Sequence, residues 1–245
     1  MSDAARGLII VPAYNEEGSL RLVLSELRAT APQFDVVVVN DGSTDATPAI
    51  ARDMGYPVLD LCFNLGIGGA MQTGFRYALE KGYPVALQVD SDGQFPPDQI
   101  EGLARLVLEE GWDMVIGSRF LGGTTYEGSR SRRVGNLVLS WLCTILSGRR
   151  ITDCTSGFRA YSRRALECLL DYYPADYPEP EAVVFLARLG LRIREEPVNM
   201  RQRQAGVSSI GGLKPLYYMA KVSLALILNA LKEKPPSVAE RRGER

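Results

Sequence analysis

The fold of this chain is decided by the stretch Pro84-Val-Ala-Leu-Gln-Val-Asp90-Ser-Asp92-Gly-Gln94-Phe-Pro96-Pro97, in which an apolar run ends at two carboxylates. The run at 85–89 predicts a short buried strand. Side chains two residues apart in an extended segment point the same way, so Asp90 and Asp92 repel each other unless a cation lies between them. Carboxylate oxygens favour a hard ion such as Mg²⁺ or Mn²⁺, which usually binds together with substrate phosphates. The stretch therefore predicts a metal–diphosphate site at the carboxyl end of a strand, where open α/β sheets bind ligands. The alternative is an ordinary polar turn after a strand.

Strands and helices alternate through the first half of the chain. Short apolar runs predict strands at 7–11, 34–39, 58–61, 85–89 and 113–117. Helical spacing of apolar residues predicts helices between these strands at 20–27, 47–54, 66–81 and 97–111. The alternation indicates βαβ units, a mainly parallel sheet and the α/β fold class. The second half predicts helices at 134–147, 162–171 and 182–189, and a strand at 191–200.

Composition limits the classes of function that the chain can have. With 245 residues, of which 46% are hydrophobic, it is long enough for one large folded domain. The four cysteines are widely spaced, which argues against a disulfide framework or a zinc site. The chain contains no histidine, so histidine-based triads and general acid–base catalysis by histidine are excluded. A net charge of −1 excludes a globally basic nucleic-acid binder, and no nucleic-acid partner is expected.

Polar motifs also follow other parts of the predicted sheet. Asn40-Asp41-Gly-Ser-Thr-Asp45 comes directly after the second strand. There, Asp41 could accept bonds from a nucleobase or ribose, and the turn leads into a helix N-terminus that favours anions. A turn capped by Asp45 explains this motif equally well. The glycine-rich segment 64–70 resembles a phosphate loop only loosely, because it lacks the spacing of the known phosphate-binding motifs.

Two further motifs lie beyond the fifth strand. An arginine cluster consists of Arg119, Arg130, Arg132 and Arg133. Guanidinium groups bind phosphates bidentately, although a charged segment of this kind is often only a solvated loop. The second motif, 152–159, contains Asp153, which could act as a base or an orienting carboxylate, and Ser156 and Arg159, which could bind an anion. Taken alone, it is also compatible with a capped turn.

Taken together, these motifs resemble those of family 2 glycosyltransferases, and among them most closely the polyprenyl- and dolichyl-phosphate sugar synthases. The matching motifs are V-P-A-Y-N-E-E (11–17), V-V-N-D-G-S-T-D-A-T (38–47), N-L-G-I-G-G-A (64–70), D-S-D-G-Q-F-P-P (90–97), G-S-R-F (117–120) and T-D-C-T-S-G-F-R-A-Y (152–161). The resemblance is specific because the motifs occur in the order of the family, over residues 8–200.

The resemblance implies a GT-A fold, a nucleotide-diphosphate sugar donor and a Mg²⁺ or Mn²⁺ cofactor. It implies that Asp90, Asp92 and Gln94 bind the metal. The implied donor-binding residues are Pro12, Tyr14, Glu16, Asp41 and Gly68. The residues implied for the acceptor phosphate and the reaction centre are Arg119, Arg130, Arg132, Arg133, Asp153, Ser156 and Arg159, together with Arg203 and Ser208 of an R-x-x-G-x-S pattern. Of these, Asp153, Arg119 and Arg133 are the predicted catalytic residues.

The expected activity is transfer of a hexosyl group, with inversion, from a UDP- or GDP-sugar to a polyprenyl phosphate. The arginine cluster favours this acceptor, because a lipid phosphate is already an anion and needs no strong general base. One alternative is transfer to a hydroxyl of a glycan or lipid-linked saccharide, for which Asp153 is the candidate base. Another is a non-catalytic protein that binds nucleotide sugars.

The sequence divides into a glycosyltransferase domain at 1–212, an amphipathic helix at 213–234 and a charged, disordered tail at 235–245. The sequence contains no run of about 18 apolar residues, so it predicts no helix that spans a membrane. The amphipathic helix carries a wide apolar face and three lysines, which favours peripheral attachment to the inner face of the membrane from the cytoplasm. Packing on the enzyme's own core or in a homo-oligomer is the alternative. A separate small membrane subunit is a further expected partner.

Overall fold

The computed structural model describes residues 6–122, 130–172, 178–201 and 214–231. Its strands are β1 (Leu8–Ala13), β2 (Asp35–Asn40), β3 (Val58–Asp60), β4 (Val85–Gln88), β5 (Met114–Ser118), β6 (Arg159–Ser162) and β7 (Ile193–Pro197). Its helices are α1 (Leu20–Thr30), α2 (Thr47–Asp53), α3 (Gly66–Lys81), α4 (Ile100–Leu108), α5 (Arg130–Ser147), α6 (Arg163–Tyr172), α7 (Pro178–Arg188) and α8 (Lys214–Leu231). A single 3₁₀ turn at Pro97–Gln99 precedes α4.

The strands form one sheet in the order β3-β2-β1-β4-β6-β5-β7. All neighbouring strands run parallel except at β6, which is antiparallel to both β4 and β5. This mainly parallel sheet with helices on both faces confirms the predicted α/β, GT-A-like fold class. Because β6 runs the other way, its first residue, Arg159, lies opposite Gln88 at the carboxyl end of β4. The segment that precedes β6 therefore enters the edge of the sheet where the parallel strands end.

The strand β6 is absent from the sequence prediction. Its four residues, Arg-Ala-Tyr-Ser, form no apolar run, and three of them are nonetheless buried between β4 and β5. The helix α5 also differs from its prediction, since it begins at Arg130 and not at 134. The arginines at 130, 132 and 133 are thus helical, whereas the sequence predicted a loop there.

Side-chain alternation along the strands builds two hydrophobic cores, one on each face of the sheet. In β1, for example, Leu8 and Ile10 pack into the core with α3, α5, α6, α7 and α8, whereas Ile9 and Val11 pack into the core with α1 and α4. The strands β1, β2, β4 and β5 are buried on both faces, which explains their mainly apolar sequences. The helix α3 packs so closely on β1 that a Cβ at Gly74 would lie 2.4 Å from Cγ2 of Ile10.

The helix α8 lies within the predicted amphipathic segment and packs on the protein itself. Val222 and Leu226 are fully buried in the core. Asn229 bonds to α7, since its amide donates to Glu181 and its carbonyl oxygen accepts from Nη1 of Arg188 at 2.7 Å. None of the helices among the described residues is long and apolar enough to cross a membrane. The predicted tail at 235–245 lies outside the described residues.

Candidate active site

The loops that follow β1 and β2 are bonded to each other and form one surface. The Asp41 N–H donates to the carbonyl oxygen of Ala13 at 2.9 Å, which joins the ends of the two strands. Asn15 adopts a left-handed backbone conformation, with φ of 53°, and its side-chain oxygen accepts the Thr44 N–H at 2.9 Å. The Glu16 N–H donates to Oγ1 of Thr47 at 2.8 Å. The first two family motifs are therefore a single structural unit.

Within this unit, the predicted donor-binding residues differ in accessibility. Pro12 is buried in β1, and Tyr14 is exposed at the end of that strand. The Glu16 carboxylate accepts a bond from the Ser19 hydroxyl at 2.7 Å, at the start of α1. Tyr14 is thus the most accessible of these three side chains for a ligand, and Glu16 also orders the turn into α1.

Asp41 connects this unit to the glycine-rich segment. Its Oδ1 accepts the Leu65 N–H at 2.7 Å, and burial raises the pKa of its carboxyl. Gly66 begins α3 with φ of +77°, and Gly68 lies buried in the first turn of that helix. The glycine-rich segment at 64–70 therefore includes the first turn of α3, and its bond to Asp41 fixes where this helix begins.

The predicted metal ligands lie just beyond β4. Asp90 is half-buried, and its Oδ1 accepts a bond from the Gln88 amide at 3.3 Å. Loss of hydration raises the pKa of the Asp90 carboxyl to about 7, and the neighbouring charge of Asp92 adds to the increase. Asp92 is 6% exposed, and its Oδ1 accepts the Gln94 N–H at 3.1 Å. The negative charge of Asp92 therefore lies close enough to disfavour ionisation of Asp90.

This donor set fits a divalent cation that is shared with a substrate. A cation between Asp90 and Asp92 would remove the repulsion that raises the pKa of Asp90. Throughout the part of the chain that the structure describes, no three carboxylate or thiol side chains converge into a complete metal site. A hard cation held by one or two carboxylates takes its remaining ligands from water and phosphate oxygens, so the set fits an ion that arrives with a diphosphate.

Gly157 places the loop at 152–159, which forms the second half of the site, against the carboxylate pair of Asp90 and Asp92. A Cβ on this glycine would lie 2.6 Å from Oδ2 of Asp90, 2.9 Å from its Oδ1 and 3.0 Å from Nε2 of Gln88. Only a residue without a side chain allows this approach. The T-D-C-T-S-G-F-R motif at 152–159 therefore contacts the D-S-D motif directly, which the sequence prediction did not identify.

The centre of the second half is a buried ion pair between Asp153 and Arg119. Asp153 is fully buried, and its two carboxylate oxygens accept from Nε and Nη2 of Arg119 at 2.6 and 2.7 Å. The Arg119 N–H also donates to Asp153 at 3.0 Å, and Nη2 donates to Oγ1 of Thr155 at 2.6 Å. Two predicted catalytic residues thus lie together. The arrangement suits Asp153 to orienting Arg119 better than to accepting a proton from a substrate.

Glu195 in β7 positions this pair, and the sequence prediction missed it. Its carboxylate accepts the N–H groups of Thr152 and Asp153, at 2.8 and 2.7 Å, and the Thr152 hydroxyl at 3.0 Å. Burial raises the pKa of the Glu195 carboxyl, and these bonds oppose the shift. The available signal was an acidic residue in the middle of a predicted strand, but its partners lie 42 and 43 residues away.

Arg159 and Ser156, which were predicted to bind an anion at the reaction centre, are buried and bond to backbone groups around the loop at 152–159. Arg159 is fully buried and donates to three backbone carbonyl oxygens. Its Nε donates to that of Ser156 at 2.7 Å, its Nη2 to that of Cys154 at 2.7 Å, and its Nη1 to that of Glu179 at 2.8 Å. The buried Ser156 hydroxyl accepts the Phe158 N–H at 3.3 Å. Both residues hold the shape of the loop that carries Asp153.

Glu179 is a further carboxylate near the site that the sequence prediction missed. Burial raises the pKa of its carboxyl, and the guanidinium groups of Arg159 and Arg119 oppose the shift. Its charge also contributes to the raised pKa of Asp90. The acidic side of the site is therefore larger than the D-S-D motif alone.

The remaining predicted residues are placed only in part. Arg133 is exposed near the start of α5, three residues before Asn136, whose amide donates to the carbonyl oxygen of Thr152. Arg130 and Arg132 lie in α5, but their side chains are outside the described set. Arg203 and Ser208 also lie outside the described residues, so their acceptor role stays a prediction.

Comparison with known proteins gives consistent results. Residues 8–170 match the family model described as Glycosyl transferase family 2. The chain is 38% identical over 216 residues to an undecaprenyl-phosphate mannosyltransferase of Micrococcus luteus, a match that covers 84% of this chain and 88% of that protein. It is 32% identical over 232 residues to a polyprenol monophosphomannose synthase of Mycolicibacterium smegmatis, covering 89% and 86% of the two chains.

Solved structures agree on the fold. The glucosyl-3-phosphoglycerate synthase of Mycobacterium tuberculosis, crystallised with Mn²⁺, UDP and glucosyl-3-phosphoglycerate, superposes with a TM-score of 0.69 at 21% identity. The match covers 93% of this chain and 81% of that one. At this level of identity the comparison supports the architecture alone.

Proposed function

The chain belongs to glycosyl transferase family 2, and from this we propose that it transfers a hexosyl group from a UDP- or GDP-sugar to a polyprenyl phosphate. The names of the similar proteins from Micrococcus luteus and Mycolicibacterium smegmatis support such an acceptor. The observation that carries the proposal is the contact at Gly157, which holds the carboxylate pair for a donor diphosphate against the loop of the Asp153–Arg119 pair.

On the donor side, Tyr14 and the surface formed by the β1 and β2 loops would bind the nucleoside, with Pro12, Glu16, Asp41 and the first turn of α3 at Gly68 shaping it. Asp90, Asp92 and Gln94 would hold a Mg²⁺ or Mn²⁺ ion. Such an ion, when bound, neutralises charge on the leaving diphosphate.

On the acceptor side, Arg119 and Arg133 would bind the lipid phosphate, with Arg130 and Arg132 in the same helix and with Arg203 and Ser208. A phosphate oxygen attacks the anomeric carbon, the bond from that carbon to the diphosphate oxygen breaks, and UDP or GDP leaves. This single displacement inverts the anomeric configuration. It needs no deprotonation, because the acceptor is already an anion, so a buried Asp153 that only orients Arg119 is compatible with it.

The enzyme would act as a peripheral protein on the cytoplasmic face of the membrane, because its acceptor is a membrane lipid. A small membrane subunit and a homo-oligomer remain predictions from the sequence.

The test is transfer of radiolabelled sugar from UDP- and GDP-sugars to undecaprenyl phosphate in detergent with Mn²⁺, followed by organic extraction. Undecaprenol without the phosphate is the matched control acceptor. Label in the organic phase with the phosphate alone supports the proposal. Equal transfer to undecaprenol or to a saccharide hydroxyl would favour the other acceptor class, and binding of the nucleotide without any turnover would favour a non-catalytic protein.

A further inference from the structure

The outer face of α5 is apolar and exposed. The side chains concerned are 45% to 69% exposed and are those of Val134, Leu137, Val138, Trp141 and Ile145. Their spacing of three and four residues places them in one stripe along the helix. Five large apolar side chains in a single exposed stripe are more than scattered surface residues, and such a patch marks an interaction surface.

The helix α8 carries exposed apolar side chains of its own. It packs beside α5, where a Cβ on Gly135 would lie 3.3 Å from Sδ of Met219. While Val222 and Leu226 face the core, four side chains of α8 are 42% to 77% exposed, namely Leu224, Ile227, Leu228 and Leu231. We call the exposed apolar side chains of α5 and α8 together the docking face.

Charge indicates what covers the docking face. The sequence of α5 and its C-terminal flank, 130–150, contains no acidic residue, and neither does 214–232, although the chain as a whole has 29 acidic and 28 basic residues. Arg133 near one end of the α5 stripe and Arg149 and Arg150 just beyond the other are exposed. An apolar stripe with cationic ends and an exposed Trp141 is the pattern of a helix that lies in the plane of an anionic lipid surface.

Other occupants fit this surface less well. A second copy of the chain would bring the two sets of arginines together without any acidic partner. The chain's own C-terminal residues, 232–245, are mostly charged or polar, so they do not complement an apolar stripe.

The inner face of the same helix holds the active-site loop. The Asn136 amide donates to the carbonyl oxygen of Thr152 at 2.8 Å, and the Cys154 N–H donates to Oγ of Ser140 at 3.3 Å. One helix therefore lies between the loop that carries Asp153 and the docking face. A helix with its side chains is about 10–12 Å across.

We propose that the docking face binds the surface of an anionic bilayer, with α5 lying in the membrane plane, so that the loop at 152–155 is held one helix diameter above the lipid. The sequence predicted a membrane role for the 213–234 helix, and the outer face of α5 adds five exposed apolar side chains to that surface. The value of this placement for catalysis rests on the proposed function, but lipid binding itself does not.

Trp141 provides a direct probe, because the only other tryptophan is Trp112. Trp112 packs beneath Arg192 and Arg194, with their guanidinium carbons 4.4 and 5.8 Å from its ring centre, and Trp112→Phe keeps an aromatic ring there. In this variant, we expect vesicles of phosphatidylcholine with phosphatidylglycerol to shift Trp141 emission to shorter wavelength, and brominated lipids to quench it. Emission that stays unchanged with these vesicles, or that shifts with protein concentration in their absence, would overturn the proposal.

Vesicle flotation of full-length variants tests the same surface. Leu137→Glu and Trp141→Glu should each weaken partitioning by about tenfold or more, as expected from the loss of one buried large apolar side chain. Leu22→Glu is the matched control, since Leu22 is 45% exposed on α1, on the other face of the sheet, and it should float like the wild type. If all three variants float alike, the docking face is not the membrane contact.

Transfer assays separate this proposal from the proposed function. The two docking-face variants should keep Mn²⁺-dependent nucleotide binding and transfer to undecaprenyl phosphate in detergent, and lose transfer to the same lipid in vesicles. Full activity of the variants on vesicles would refute the docking face alone. Flotation of the wild type without any transfer in detergent would refute the proposed function alone.

Discussion

Replacement of Gly157 by alanine tests the contact that joins the two halves of the site. The new Cβ would lie 2.6 and 2.9 Å from the Asp90 carboxylate oxygens and 3.0 Å from Nε2 of Gln88. Overpacking of this kind costs about 1–3 kcal/mol. We expect about 1 kcal/mol here, the low end of that range, because the atoms met are ends of side chains that can rotate away. For a chain of this size that corresponds to a fall in Tm of about 2–4 °C.

The effect on ligand binding should be much larger than the effect on stability. When Asp90 rotates away from Gly157, its carboxylate no longer lies beside that of Asp92. Changes to groups that orient a metal ligand typically reduce metal affinity or activity by about 10–100-fold. We therefore expect Gly157→Ala to weaken Mn²⁺-dependent UDP or GDP binding by about this factor.

Calorimetry with the nucleotide and Mn²⁺, combined with thermal unfolding, measures both quantities. The matched control is Gly102→Ala in α4, where an added Cβ meets no atom within 4 Å; this helical substitution should stabilise the protein by up to about 1 kcal/mol and leave binding unchanged. Nucleotide affinity within twofold of the wild type in Gly157→Ala would show that the close approach to Asp90 does not matter for the donor.

Three further predictions concern other residues. Asp92→Asn should abolish transfer while leaving the Tm in the absence of metal nearly unchanged, because it removes a charged ligand at a strand end; near-normal turnover would refute the metal assignment. Arg133→Ala should raise the KM for undecaprenyl phosphate without weakening nucleotide binding, and the reverse pattern would place Arg133 on the donor. The pKa of the Tyr83 hydroxyl is raised above its usual value of about 10 by burial and by its bond to Asp35. The folded protein therefore keeps this proton longer than the unfolded chain does, so stability is full below pH 10 and falls above it. Tyr83→Phe should lose less stability than the wild type between about pH 10 and 11, as measured by urea unfolding, and parallel curves for the two proteins would contradict this.

The pattern of apolar residues along the sequence was sufficient to predict the elements in the first half of the fold. The strands β1 to β5 and the helices between them follow from apolar runs and helical spacing, because strands covered by helices on both faces are mostly apolar. The strand β6 does not follow from any such pattern. Its Arg-Ala-Tyr-Ser sequence becomes a strand because β4 and β5 pair with it on both sides, and that pairing exists only in the assembled sheet.

The residues of the site also fall into those that the sequence identified and those that only the structure identified. The D-S-D motif, the arginines and the loop at 152–159 were identified from residue type and position, since carboxylates at a strand end and guanidinium groups have a limited range of roles. The sequence did not identify the roles of Gly157, Glu195 and Glu179. Each acts on partners that are distant in sequence, as when Glu195 accepts the N–H groups of Thr152 and Asp153.

The sequence by itself thus determined the α/β class, the family and the chemical groups available at the carboxyl edge of the sheet, because periodicity and residue chemistry are local properties. Only the tertiary structure decided that Arg159 is a buried framework residue, that Asp153 is paired with Arg119, and that α5 presents an exposed apolar face. The physical reason is that burial, ion pairing and exposure depend on which elements pack together. The order of the strands and the packing of the helices determine which side chains meet across the fold. Neither can be derived from the residues that flank a side chain in the sequence.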